Sequence, residues 1–195
     1  MASEQLKNIF LSASIPLPER DKKYIESADI ISIRDAVIAL TMAVIPNYRL
    51  IWGGHPSITP LINYVLQKKN ENVQNHVLLY QSKFFEKYYP ADNNQFDNII
   101  QTPNQGARES SLLLMRKKML SEHVYVAGIF IGGMEGVEEE YDLFREYQPT
   151  AALIPLASTG AAAKRLYDKY NMNNDRFLHD YAYSSLFNKY LINNA

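Results

Sequence analysis

The chain has 195 residues, with 20 basic side chains against 21 acidic ones, 47% hydrophobic residues and no cysteine. That length predicts a single domain, residues 1–195, large enough to bury a sizeable core. Balanced charge excludes an extended nucleic-acid surface, and the lack of cysteine excludes disulfides, thiolate-ligated zinc and a thiol nucleophile.

The N-terminus, MASEQLKNIFLSASIP, lacks the apolar length of a signal peptide, and no stretch reaches the roughly 18–20 apolar residues of a membrane span. The expected protein is soluble and cytoplasmic. In chain order, Asn8–Ala13 reads as a buried strand, and Ser32 as the cap of a helix over Ile33–Val44 that Pro46 ends. Arg49–Trp52 reads as a second strand, Pro60–Lys69 as a helix and His76–Tyr80 as a third strand. Tyr89–Gln105 is polar and loop-like, an irregular connection. Arg108–Glu122 is a strong helix pattern, His123–Ile131 a fourth strand, Glu138–Glu146 a helix, Thr150–Pro155 a fifth strand and Ala161–Tyr170 a helix. The tail Arg176–Leu191, with Phe177, Tyr181, Tyr183 and Phe187, reads as one more helix. It packs on its own sheet or supplies, with the apolar residues of Leu112–Met119, a dimer face.

This alternation predicts an α/β fold, Rossmann-like, in three α/β/α layers around a mostly parallel sheet. Ligands in such sheets bind beyond the carboxyl ends of the strands. The five strand ends are Ser12-Ala13-Ser14, Gly53-Gly54-His55-Pro56-Ser57, Tyr80-Gln81-Ser82, Gly132-Gly133-Met134-Glu135-Gly136 and Leu156-Ala157-Ser158-Thr159-Gly160. All are small or polar. Glycine turns that lead into a helix present free N–H groups and the positive end of its dipole to an anion. The five ends together suit a phosphate-bearing ligand.

A carboxylate beside such a cradle is better used on sugar hydroxyls or on a developing oxocarbenium charge than on phosphate. Glu140 is the candidate, with Glu138 and Glu139 as first-turn acids of the helix. His55 sits in a glycine turn and serves either a ligand or the turn itself. His55, His76, His123 and His179 have no metal-ligand spacing, so no metal site is expected. Walker A, GxGxxG after the first strand and GxSxG are all absent from the sequence.

The run Gly132-Gly133-Met134-Glu135-Gly136-Val137-Glu138-Glu139-Glu140 resembles the PGGxGTxxE motif of the LOG family of phosphoribohydrolases. Leu114-Met115-Arg116-Lys117-Lys118-Met119 is similar to the Arg-Lys helix that precedes that motif, Gly53-Gly54 to the family's second-strand turn, and Ser12–Ser14 to its first loop. The chain departs from the motif in three places. Ile131 replaces the leading proline, Met134-Glu135 fills a single position, and Val137 replaces the threonine. These departures bear on hydrolysis more than on nucleotide binding.

GGHPSITP, PLASTGAA and GGMEGVEEE are closer to bacterial sensor domains of the wider SLOG superfamily, which include Thoeris defence effectors that bind cyclic ADP-ribose-type signals. The resemblance implies a nucleotide or ADP-ribose-derived ligand, no cofactor and a homodimer or higher homo-oligomer. Backbone N–H groups at Gly132, Gly133 and Gly136, in the Met134–Glu135 turn, would hold one phosphate. Ser158, Thr159 and Gly160 would hold a second phosphate or a ribose. Arg116 would pair with phosphate, Glu140 would accept ribose hydroxyls, and Tyr80 would stack on a base. As a hydrolase of nucleoside monophosphates, the same fold would use Arg116 and Glu140 as its catalytic residues. A third alternative is a non-catalytic, oligomeric interaction protein.

Overall fold

The computed structural model describes residues 6–45, 47–69 and 73–193. Six strands form one sheet: β1 (Lys7–Ser14), β2 (Tyr48–Trp52), β3 (Val77–Ser82), β4 (Ile99–Thr102), β5 (Tyr125–Gly132) and β6 (Ala152–Leu156). Their order is β4-β3-β2-β1-β5-β6, and every neighbouring pair is parallel. The helices are α1 (Lys22–Ile25), α2 (Ile30–Val44), α3 (Thr59–Gln67), α4 (Arg108–Ser121), α5 (Glu135–Tyr147), α6 (Ala161–Lys169), α7 (Asp175–His179) and α8 (Tyr183–Phe187).

Side chains alternate across a strand, so each central strand feeds two cores. Ile9, Leu11, Leu50, Trp52, Leu79, Ile129 and Ile131 pack with α2, α3 and the C-terminal segment. Phe10, Ile51, Tyr80 and Phe130 point the other way, toward residues of α4, α5 and α6. In that second layer Phe10 stacks on Phe144 with ring centroids 5.3 Å apart and meets Phe130 edge-on at 6.0 Å. A buried aromatic of this kind contributes roughly 1.5–3 kcal/mol through area removed from water. The two cores make the three layers that the alternating pattern predicts.

The structure changes several boundaries. The sheet is all parallel, and it gains β4 inside the segment expected to be irregular. Only four residues long and on the sheet edge, β4 pairs with β3 from Leu79↔Ile99 to Ser82↔Thr102. Asp29, not Ser32, caps α2: its carboxylate accepts from Ser32 N at 2.9 Å and from Ser32 Oγ at 2.7 Å. Helix α2 ends at Val44, and Pro46, the expected terminator, lies outside the described residues. The tail is α7, α8 and a π-helical turn, Asn188–Ile192, rather than one helix. Phe177, Tyr183 and Phe187 are buried in the core while Tyr181 is exposed. Among the described residues, no helix is long and apolar enough to cross a membrane.

The chain runs outward from β1 to β4, then returns to add β5 on the other side of β1. The carboxyl ends of β1 and β5 therefore flank the switch point, where diverging connections leave a crevice. Beyond β5 the sheet edge is closed. The Ser27–Asp29 segment is stitched over the end of β6 by Asp29 N–H to Thr159 O, 3.2 Å, and Ala161 N–H to Ser27 Oγ, 3.0 Å. Gly160, at φ +70°, makes this closure possible, since a Cβ there would lie 1.7 Å from Ser27 O. Gly160→Ala is expected to cost about 3 kcal/mol or more in chemical denaturation, by clash added to backbone strain. Gly106→Ala, at φ +83° with open space around it, should cost only about 1–2 kcal/mol.

Candidate functional site

The ends of β1, β2, β3 and β5 open into a cavity of about 290 Å³. Ala13 and Ser14 line it from β1, Gly53, Gly54 and His55 from the turn after β2, Gln81 and Ser82 from β3, and Met134, Glu135 and Gly136 from the start of α5. Arg108, Leu112, Met115 and Arg116 line it from α4. Their i, i+4, i+7, i+8 spacing puts all four on one helix face. Phe85, Tyr88 and Tyr89, from the 3₁₀ segment Lys83–Tyr88 and its next residue, form an aromatic wall.

At the base of the cavity Arg116 is 7% exposed. Its Nε donates to Glu140 Oε1 at 3.0 Å, Nη1 pairs with Glu139, and Nη2 reaches Gly136 O at 3.5 Å. The other Glu140 oxygen accepts from Ser12 Oγ at 2.6 Å. Burial works against the Arg116 charge, but Glu140 and then Glu139 outweigh it and hold the guanidinium above its ordinary range. Glycine at position 136 lets Arg116 approach closely: a Cβ would stand 2.8 Å from its Nη2 and the guanidinium would have to shift.

The glycine turn itself differs from the expected cradle. Gly132 N–H donates to Thr159 Oγ1 at 2.9 Å, and Gly133 N–H to Ser14 O at 2.8 Å. Both donors are spent on joining β5 to its neighbours. The N–H groups of Met134, Glu135 and Gly136, at the N-terminus of α5, have no acceptor among the described residues. That positive helix end opens on the cavity beside Arg20, which pairs with Glu135.

Other expected site residues lie elsewhere. Ser158 bonds to Asp180 O at 3.2 Å and to the Tyr183 hydroxyl at 3.1 Å, Thr159 donates to Leu156 O at 2.6 Å, and Gly160 is sealed under Ser27. The tail and the Ser27–Asp29 segment cover this strand end, so none of the three lines the cavity. Tyr80 is fully buried on the α4 side, its hydroxyl 2.8 Å from His123 Nε2 and 3.2 Å from Glu122 Oε2. Burial, and then Glu122, push its phenol well above the usual range. The aromatic rings that do face the cavity are Phe85, Tyr88 and Tyr89, from a segment whose polar flanks hid them. Arg20, Arg108 and Gln81 were also not singled out by sequence reasoning. Gln81 had a signal, an amide at a strand end beside the Gly53-Gly54 turn.

His55 lines the cavity as expected and also shapes its own turn. Its Nδ1 accepts the Ser57 backbone N–H at 3.2 Å and lies 2.8 Å from Ser57 Oγ, which takes the Ile15 N–H at 3.1 Å. An Nδ1 that accepts an N–H carries no proton, so the neutral ring is protonated at Nε2. Burial lowers the His55 pKa to about 4.

Arg116→Met strands the Glu140 carboxylate and should cost about 3–5 kcal/mol of stability in urea titration. For His55, the unfolded chain binds the proton more readily than the folded one. Its contribution is complete above pH 6.5 and lost as pH falls to about 4. Wild type should thus lose on the order of 2 kcal/mol more than His55→Gln across that window, measured by denaturation at successive pH values.

No curated protein matches the chain. A solved structure titled as the X-ray structure of TM1055, a structural genomics target, is similar at 14% identity and TM-score 0.54, covering 88% of this chain and 89% of that one. That likeness supports the α/β Rossmann-like fold. The model of the SLOG cluster3 family matches residues 23–191, a span that includes β2 to β6 and the cavity-lining faces of α4 and α5. The chain belongs to the SLOG cluster3 family.

Proposed function

We propose that the cavity binds a nucleotide or nucleotide-derived ligand, of the adenosine monophosphate or ADP-ribose type, and senses it without consuming it. Membership of the SLOG family points to nucleotide-related function. The observation that carries the reading is that one cavity has two chemically different ends. At one end, three N–H groups of the α5 N-terminus lie beside Arg20, which pairs with Glu135, and Arg108 adds a further cation to the cavity wall, an arrangement suited to phosphate. At the other, Phe85, Tyr88 and Tyr89 follow β3 and suit a base. The cavity volume of about 290 Å³ lies just below the roughly 300–1,000 Å³ of ligand pockets. It suits a nucleoside monophosphate, and a cyclic ADP-ribose-type ligand would extend toward the mouth.

Binding is favoured over hydrolysis because Glu140 commits one oxygen to Arg116 and the other to Ser12. A general base or oxocarbenium stabiliser needs an oxygen turned to the substrate. The hydrolase reading keeps one supporting observation, that Arg116 and Glu140 share a wall of the cavity. By its likeness to SLOG sensor domains, the proposed role is cytoplasmic signalling in bacterial antiviral defence.

Titration calorimetry with AMP, ADP-ribose and cyclic ADP-ribose isomers, followed by chromatography of the mixture, tests both readings. The expected result is saturable binding of at least one ligand, recovered intact, and weakened about tenfold by Arg108→Ala. Release of free base, abolished by Glu140→Ala, would establish the hydrolase instead.

A further inference from the structure

One pair of polar groups in the cavity is left open by the packing around it. Gln81 is 4% exposed, and its Nε2 donates to Gly54 O at 3.1 Å. That bond fixes the amide orientation, because only the NH₂ side can face a carbonyl. The other end, Oε1, has no hydrogen-bond partner among the described residues, yet it is not sealed in the interior. An amide oxygen with so little access to solvent is costly to leave without a partner unless water or a ligand fills the role. On the other side of Gly54, the Ser57 bonds leave His55 with its proton on Nε2 and no partner for it among the described residues. Both residues line the cavity. They come from the ends of adjacent strands β2 and β3, and the aromatic wall continues directly from β3.

We propose that His55 and Gln81 form a donor–acceptor pair that reads the edge of an adenine base. His55 Nε2–H would donate to a purine ring nitrogen, and Gln81 Oε1 would accept from the 6-amino group, while Phe85, Tyr88 and Tyr89 hold the ring face. This rests on the nucleotide reading above and deepens it. It assigns the base to the β2–β3 end and the phosphate to the α5 end. A site built around a buried acceptor discriminates strongly against a ligand that lacks the matching donor.

Calorimetry on the full chain with three probes tests the assignment: AMP, purine riboside 5′-monophosphate, which lacks only the 6-amino group, and ribose 5-phosphate. Wild type should bind AMP at least tenfold more tightly than purine riboside monophosphate, and ribose 5-phosphate most weakly. In Gln81→Leu the first two affinities should converge to within about twofold. His55→Phe should weaken both by a similar factor and keep their ratio, and His55→Gln, which restores an N–H donor, should recover part of the loss. The His55 series reads the pair independently if Gln81→Leu does not fold. Equal binding of AMP and ribose 5-phosphate would overturn the base assignment and leave the phosphate end standing. An AMP preference that survives unchanged in Gln81→Leu would overturn the role of Gln81. Binding of none of the three probes would overturn this proposal, and failure of ADP-ribose and its cyclic isomers as well would overturn the nucleotide reading.

Discussion

A buried positive charge sets the arrangement around it. Arg116 sits on α4 with almost no access to water, and a guanidinium in that position is tolerated only if carboxylates and carbonyls surround it. Glu139 and Glu140 of α5 and the carbonyl of Gly136 supply that surrounding. Ser12 then ties Glu140 to β1. One charge therefore fixes the relative position of two helices and the central strand. The N-terminus of α5 is tied to this brace, since Arg116 reaches the Gly136 carbonyl and pairs with Glu139 and Glu140 one turn further on. The pair that resembles a catalytic constellation in the sequence is, in the folded chain, also the brace that gives the cavity its shape.

The fold was legible in the sequence because both faces of the sheet are buried. Strands such as Asn8–Ala13 and His123–Ile131 are nearly continuous apolar runs, and the helices between them carry a polar face. The edge strand was not legible for the converse reason. Ile99–Thr102 is held mainly by backbone pairing to β3, which leaves little trace in side-chain pattern. The tail misled differently. Its aromatic spacing suits a helix, but Asp180 accepts the Ala182 N–H through its side chain at 2.8 Å and breaks the run between α7 and α8. Site residues divide along the same line. Ser14, Gly53, Gly54, His55, the Met134–Gly136 turn and the nearby Glu140 lie where strand-end reasoning put them, at the cavity, as does Arg116, which the family resemblance supplied, with Ser12 joined to the cavity through Glu140. Tyr80 does not, because its side chain points into the core on the α4 side, and Ser158, Thr159 and Gly160 do not, because a strand end becomes a site only where no other segment closes over it.

That closure is itself informative. A parallel sheet offers a site at each strand end, and this chain covers one of them, β6, with Ser27–Asp29 and the C-terminal helices. What is left open runs from β5 across β1 to β3, the stretch that contains the switch point. A ligand held there would span several strands, with its ends in different surroundings, which is the ground for proposing a molecule that is charged at one end and aromatic at the other.

The charge bookkeeping of the cavity sharpens the point. Arg116 is matched by Glu139 and Glu140, and Arg20 by Glu135. Arg108 lies 3.7 Å from Glu109 and is the more loosely held of the three cavity arginines. A site whose charges are largely paired with one another exerts little long-range pull, in keeping with a chain of net charge −1. In the proposed binding mode, attraction at short range would then fall to groups that carry no formal charge: the N–H groups of Met134, Glu135 and Gly136, the His55 Nε2–H and the Gln81 carbonyl. Such dipoles are directional, and their energy depends on matching a donor to an acceptor rather than on the presence of any anion. On the proposed nucleotide reading, discrimination among ligands that share a phosphate would therefore come from the neutral end of the cavity, where a misplaced or missing hydrogen leaves a buried group unpaired.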